Sequence, residues 1–166
     1  MKDIIALKKY VKSDLNRHMD LYYMNGVYKK TDSQARKKEE KWLEKSINNY
    51  KTKRPEFYVL KITLNDVYIG NVIAQKINFN DKNLDVGYWI GKEYWGRGYA
   101  TKALKLFLKE VYKKFKSVRV TAGVKTTNIG SIKVLEKCGF KHEGTSRKVY
   151  KSNNKYVDEM RYAIVK

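Results

Sequence analysis

Apolar residues return along this chain at two spacings, every second residue in some segments and every third or fourth in others, and these spacings separate strands from helices. Ile4 to Lys9 reads as a short first strand. Ser13-Asp14 offers N-cap chemistry for a helix to about Met24, and Asn25-Gly26 stops it. Thr31-Asp32-Ser33 opens a second helix. In it Ala35, Trp42, Leu43, Ile47 and Tyr50 recur on one side, and Arg36, Lys37, Lys38, Glu40 and Lys41 form the wet side. Pro55 closes that region. Phe57 to Ile62, Val67 to Phe79 and Leu84 to Ile90 are β-rich runs parted by polar turns at Asn65-Asp66 and Asn80 to Asn83, which predicts an antiparallel meander. Ala100, Leu104, Leu108, Val111 and Phe115 form one helical stripe with lysines opposite. Val118 to Val124 is a further strand, and Asn128 to Cys138 a compact helix ended by Gly139. Val149 to Lys151 and Tyr156 to Val165, around Ser152-Asn153-Asn154-Lys155, predict a closing hairpin. The order β-α-α-β-β-β-α-β-α-β-β gives a mixed α/β sheet with helices on its faces, expected as one domain over residues 1–166.

Composition narrows the setting. Hydrophobic residues are 42% of the chain, enough for a core. No apolar run reaches the length of a membrane span, and Met1-Lys2-Asp3-Ile4-Ile5 has no extended apolar leader. Cys138 stands alone and cannot close an internal disulfide, so a cytoplasmic location is expected. With His18 and His142 as the only histidines, no metal site is expected. The 37 basic against 17 acidic side chains give a net charge of +20, which attracts ribosomes, nucleic acid, membrane surfaces or a polyphosphate cofactor. A simply solvated lysine-rich surface explains the same number.

Trp95-Gly96-Arg97-Gly98-Tyr99-Ala100-Thr101 lies between a strand and an amphipathic helix. Gly96 and Gly98 can take positive φ and let backbone approach a ligand. The helix start adds unpaired N–H groups and the positive end of a dipole, the ingredients of a phosphate site. The bland reading is a tight turn. No Gly-Lys-Ser/Thr follows, so a Walker-type loop is excluded, and Thr101 stands where a dinucleotide fingerprint needs Gly or Ala.

The wider stretch Gly87-Tyr88-Trp89-Ile90-Gly91-Lys92-Glu93-Tyr94-Trp95-Gly96-Arg97-Gly98-Tyr99-Ala100-Thr101-Lys102-Ala103-Leu104 resembles the GNAT superfamily of N-acetyltransferases, in particular its RimJ/RimL-like ribosomal-protein branch. A second block, Asn128 to Phe140 with Ser131 and Gly139-Phe140, resembles the same branch, as does Tyr156-Val157-Asp158. The resemblance implies a GNAT-like, mostly antiparallel sheet with a splayed central strand pair and acetyl-CoA as acetyl donor. It also implies that backbone groups of Trp89 and Ile90 pair with the pantetheine arm and that the N–H groups from Trp95 to Thr101 bind the pyrophosphate. Asn128 would hydrogen-bond the pantetheine region, with Ser131 near the thioester sulfur. Two positions depart from the pattern: Glu93 stands where Gln or Arg is usual, and Leu135 where many relatives carry an acid tyrosine.

Acetyl transfer to an amine needs a neutral amine, support for the developing oxyanion and a way for thiolate to leave. Ser131 is the candidate to assist the thiolate, against the reading of an ordinary helix-start hydroxyl. Asp85 is the candidate base, because strand alternation puts it on one face with Gly87 and Trp89; the alternative is a solvated aspartate. Cys138 reads as a packed residue and His18 as a surface one, with a place lining an acceptor cleft as the alternative. Of Tyr22 and Tyr23 at most one should face inward. Lys133 and Lys137, four apart, could meet the coenzyme's 3′-phosphate. The acceptor expected is a protein N-terminal α-amino group, with docking on a ribosome or other anionic surface. Alternatives are a small-molecule amine (amino-sugar nucleotide, aminoglycoside or polyamine) and a non-catalytic basic RNA- or ribosome-binding module. Cationic acceptors are disfavoured because the acids form only scattered pairs, Glu39-Glu40 and Asp158-Glu159. The sequence leaves oligomeric state open.

Overall fold

A computed structural model describes residues 3–29, 32–152 and 154–166. Thr31 of the expected helix start and Asn153 of the expected closing turn lie outside the described residues, as do Met1, Lys2 and Lys30. The strands are β1 (Ile5–Lys8), β2 (Tyr58–Leu64), β3 (Val67–Asn78), β4 (Asn83–Ile90), β5 (Arg119–Lys125), β6 (Lys141–Ser152) and β7 (Lys155–Val165). Among the described residues they form a seven-stranded sheet in the order β1-β2-β3-β4-β5-β7-β6. Every neighbouring pair is antiparallel except β4 and β5, which run parallel. The helices are α1 (Leu15–Met24), α2 (Ser33–Asn49), α3 (Tyr99–Phe115) and α4 (Ile129–Lys137). This is the mixed α/β architecture expected from the apolar spacing, with helices on both faces.

Local chemistry explains most of the boundaries. Asn65 and Asp66 both take positive φ, 48° and 69°, so the β2–β3 turn has the handedness that suits a two-residue hairpin. Asp32 caps α2 by accepting the Ala35 N–H at 2.9 Å. Asp14 does not cap α1 as expected. It is the last residue of a short 3-10 turn, Lys12–Asp14, with helical backbone angles, and its carboxylate accepts instead from Val11 N (2.8 Å) and from Lys61 Nζ (2.6 Å) on β2. The half-buried lysine claims the carboxylate, since an unpaired charge there is costly.

The sheet separates two cores. On one face α3 buries Ala103, Leu104, Phe107 and Val111 against β2–β5 and β7, with Leu135 of α4 joining them. On the other, α1 and α2 bring Met19, Leu21 and Leu43 against Val59 of β2 and Tyr68 of β3, leaving the β5–β7 side of that face to polar residues. His18, expected on the surface, is fully buried in this second core. Its Nδ1 lies 2.8 Å from Tyr68 Oη and its Nε2 3.0 Å from Glu39 Oε2, while Tyr28 Oη donates to Glu39 Oε1 at 2.8 Å. The imidazole stacks on Trp42 with centroids 5.2 Å apart. Burial pushes the Glu39 carboxyl up, but the bonds from His18 and Tyr28 outweigh it and hold the group below the ordinary glutamate range. The polar look of α1 and α2 misleads because these polar side chains satisfy one another inside.

Candidate active site

The parallel pair β4–β5 is where the sheet opens. Among the described residues its ladder holds three rungs, Asn83↔Arg119, Leu84↔Val120 and Asp85↔Thr121. β4 continues beside β3 as far as Gly70↔Ile90, and β5 continues beside β7 as far as Lys125↔Glu159. Each strand thus stays with its outer neighbour, and a gap separates Val86–Ile90 from Ala122–Lys125. Which backbone groups face the gap follows from the register. Gly91 N donates to Ile69 O on β3 at 3.0 Å, and alternate residues share a direction, so Trp89 also turns its amide and carbonyl toward β3. Tyr88 and Ile90 turn theirs into the gap. Of the two residues expected to offer backbone to the arm, Ile90 is so placed, and Tyr88 takes the position given to Trp89. The Ile90 carbonyl accepts from the Trp95 indole at 2.7 Å, which ties the following turn to the strand.

That turn passes through a short 3-10 segment, Lys92–Tyr94, and then Gly96 and Gly98 at φ 76° and 75°. A β-carbon on either glycine would meet nothing within 4 Å, so backbone conformation and not crowding selects glycine. Gly98 is the N-cap of α3 and no side chain caps the helix. The first intrahelical bond runs from Lys102 N to Gly98 O at 3.1 Å, which leaves the amides of Tyr99, Ala100 and Thr101 to an outside acceptor. Arg97 and Lys102 are exposed beside them. Open space, left-handed glycines, uncapped amides and a helix dipole fit a pyrophosphate. Glu93 folds away over Gly91, where a β-carbon would lie 2.9 Å from its Oε2, so it contributes no donor to the cradle.

Across the gap stands α4. Asn128 is its N-cap and accepts the Ser131 N–H at 3.1 Å. The Ser131 carbonyl accepts in turn from Tyr88 Oη at 3.0 Å. A tyrosine from β4 therefore reaches over the gap to the first turn of α4, and burial pushes its phenol up to about 12, so it remains a proton donor at neutral pH. Strand alternation could have aimed Tyr88 at that face, but only the fold shows what it meets. Cys138 is packed as expected, its Sγ 3.7 Å from Thr101 O, and burial raises its thiol.

The opposite face of the gap carries Asp85, Gly87 and Trp89 of β4, as alternation predicts. Trp89 packs edge-on against Tyr22 of α1, and Tyr22 also lies 4.4 Å from the His18 ring, while Tyr23 packs on the same second core. Both tyrosines thus turn partly inward, because the helix wedges between the sheet and α2. Asp85 is only 6% exposed and is not a solvated aspartate. It accepts from Thr121 Oγ1 on β5, and Lys76 Nζ (3.4 Å) and Arg161 Nη2 (3.9 Å) flank it. Glu159, assigned to a scattered pair from the sequence, comes to this same patch through Arg161, whose Nη1 donates to its Oε2 at 3.1 Å. Asp85 and Glu159 lie on strands far apart in the chain, so no local spacing could have joined them.

A family model described as an acetyltransferase (GNAT) domain matches residues 5–141. The chain belongs to the GNAT acetyltransferase family. As a GNAT protein it is an acyltransferase, and the relatives it resembles are named as N-acetyltransferases. The uncharacterised N-acetyltransferase YnaD of Bacillus subtilis is 27% identical over 164 residues, covering 99% of this chain and 88% of the relative. Bacillus subtilis YjcK is 39% identical over 80 residues, covering 48% of this chain and 44% of that longer relative. Among solved structures, RimL, a ribosomal L7/L12 α-N-protein acetyltransferase in complex with coenzyme A, superposes with a TM-score of 0.85 at 18% identity, over 97% of this chain and 93% of that one. The seven-stranded sheet with its opened parallel pair is thus the GNAT fold. Among the described residues of this GNAT chain no helix is long and apolar enough to cross a membrane.

Proposed function

We propose that the chain transfers the acetyl group of acetyl-CoA to the α-amino group at a protein N terminus. The reading rests above all on the β4–β5 ladder ending after Asp85↔Thr121, immediately upstream in space of a left-handed glycine turn that opens α3. The Trp95 N–H is already given to Lys92 O at 3.1 Å, so the amides that follow it, to Thr101, hold the pyrophosphate. The gap-facing backbone of Tyr88 and Ile90 lines the pantetheine arm, and Asn128 orients the turn that presents Ser131. The bound coenzyme supplies the activated acetyl group. Ser131 assists the departing thiolate, with Tyr88 fixing the backbone that carries it. The amine enters from the open face, beside Asp85.

The choice of acceptor follows from charge and basicity. A protein α-amino group, with a pKa of about 7.7–8.0, is partly neutral at physiological pH, whereas lysine near 10.4 is not. The carboxylates at the gap are offset by Arg161 and Lys76, which suits a single ammonium better than a polycation. The net charge of +20 favours docking on a ribosome or another anionic surface. RimL supports this reading, while the fold is shared with a spermidine N-acetyltransferase and with MccE, a microcin C7 self-immunity acetyltransferase, so the acceptor must be tested directly. The test is acetyl-CoA consumption with N-terminal peptides, free lysine, polyamines and amino sugars, in the cytoplasmic pH range. Fastest turnover with N-terminal peptides is expected; turnover confined to polyamines or amino sugars would replace this acceptor with theirs.

A further inference from the structure

The open face of the gap holds a carboxylate that strand spacing alone would not select. Gly123 of β5 lies two residues beyond the last β4–β5 rung, where the strands have parted. It has no side chain, and the space is filled from β7: a β-carbon at Gly123 would lie 2.7 Å from Glu159 Cδ and 3.0 Å from Arg161 Nη1, with Glu159 Oε1 its nearest neighbour. Missing bulk on β5 is thus what lets the Glu159 carboxylate lean over the edge of the gap. Its two oxygens differ. Oε2 faces the Arg161 guanidinium, whereas Oε1, the one over Gly123, accepts only from the neutral Tyr150 hydroxyl among the described residues. Asp85 is situated otherwise. It sits on the last closed rung, with Thr121 Oγ1 on one oxygen, Arg161 beside that same oxygen and Lys76 beside the other.

We propose that Glu159 is the residue that receives the acceptor ammonium and takes its proton, while Asp85 acts as a positioning residue that holds Arg161. The assignment rests on the acetyl-transfer reading above. One proton passes from the ammonium nitrogen to Glu159 Oε1. The freed lone pair forms the C–N bond to the acetyl carbonyl carbon, the C–S bond breaks with its electron pair going to sulfur, and the second amine proton ends on the thiolate. Glu159 returns its proton to water, so ammonium and acetyl thioester give amide, free thiol and one proton. Tyr150 keeps Oε1 in place, and the Glu159 side chain, 12% exposed, retains an approach from the open face.

The test compares wild-type protein with Glu159→Gln, Gly123→Ala and Asp85→Asn, using acetyl-CoA and a peptide with a free N terminus, from pH 6.5 to 9.5. Glutamine preserves size and the Tyr150 contact, and alanine at Gly123 displaces a carboxylate that is still present. Both are expected to lower kcat/KM for the peptide roughly 10²-fold near pH 7, within the range of general-base effects, with acetyl-CoA affinity and melting temperature close to wild type. Their deficit shrinks as pH rises past the peptide's own pKa, when the amine arrives neutral; Asp85→Asn lowers activity by a factor that does not vary with pH. Wild-type kcat/KM in Glu159→Gln, a deficit independent of pH, or the pH-dependent loss appearing in Asp85→Asn instead would overturn the assignment. A wild-type protein that acetylates no amine would overturn the function itself, a result these variants cannot imitate.

Discussion

Ser131 occupies a position where two roles compete. Its N–H donates to Asn128 Oδ1 and its carbonyl accepts from Tyr88 Oη, so the backbone of this first turn of α4 is fixed from both sides of the gap. The side-chain hydroxyl is carried by that frame and is dispensable to it. Ser131→Ala is therefore expected to leave acetyl-CoA affinity within about twofold while kcat falls at least roughly tenfold, a loss of about 1.4 kcal/mol in transition-state stabilisation. Stopped-flow turnover beside calorimetric binding separates the two quantities. Equal losses in both would make the hydroxyl a binding group, and an unchanged kcat would remove it from the chemistry.

At the level of elements, α1 and α2 meet the sheet through an apolar cluster that includes Met19, Leu21 and Leu43, and through His18, Glu39, Tyr28 and Tyr68 bonded to one another beside it. Because Glu39 titrates below the ordinary range in the folded chain, its contribution is present above the unfolded value of about 4.3 and is lost as pH falls through the lowered folded value. Glu39→Gln should thus lose roughly 1–3 kcal/mol of stability to urea at pH 7, the cost of an imperfectly satisfied buried polar group. The difference from wild type should shrink below about pH 4; the same difference at pH 3 and pH 7 would contradict it. The spacing of apolar residues was enough to read the meander, α3 and the glycine turn, whose determinants are local. It did not reveal the buried face of α1, since His18 and Glu39 look like surface residues until they meet. Nor did it show that β6 begins at Lys141: register shifts near Gly144 and between Ser146 and Tyr150, with Lys148 at φ 57°, break the alternation that marks a strand. That a left-handed glycine opens α3 and that Asn128 opens α4 was legible because motif and element coincide. Tyr88, Gly123, Glu159 and Arg161 were not, because they are joined by strand order, which no short window records.

Across the whole molecule the sheet's outer pairings force its centre open, and the glycine turn stands at the mouth of that opening. The most direct test follows amide hydrogen exchange with and without acetyl-CoA, in wild type and in Gly98→Val, whose β-branched side chain cannot comfortably hold φ near 75°. Protection on ligand addition is predicted at the amides of residues 97–101 and at Tyr88 and Ile90, with Trp89 unaffected because it already pairs with β3. The same protection should require at least about tenfold more acetyl-CoA in the variant. Acetyl-CoA binding that leaves those amides exchanging as before, or that protects a different segment, would contradict the account.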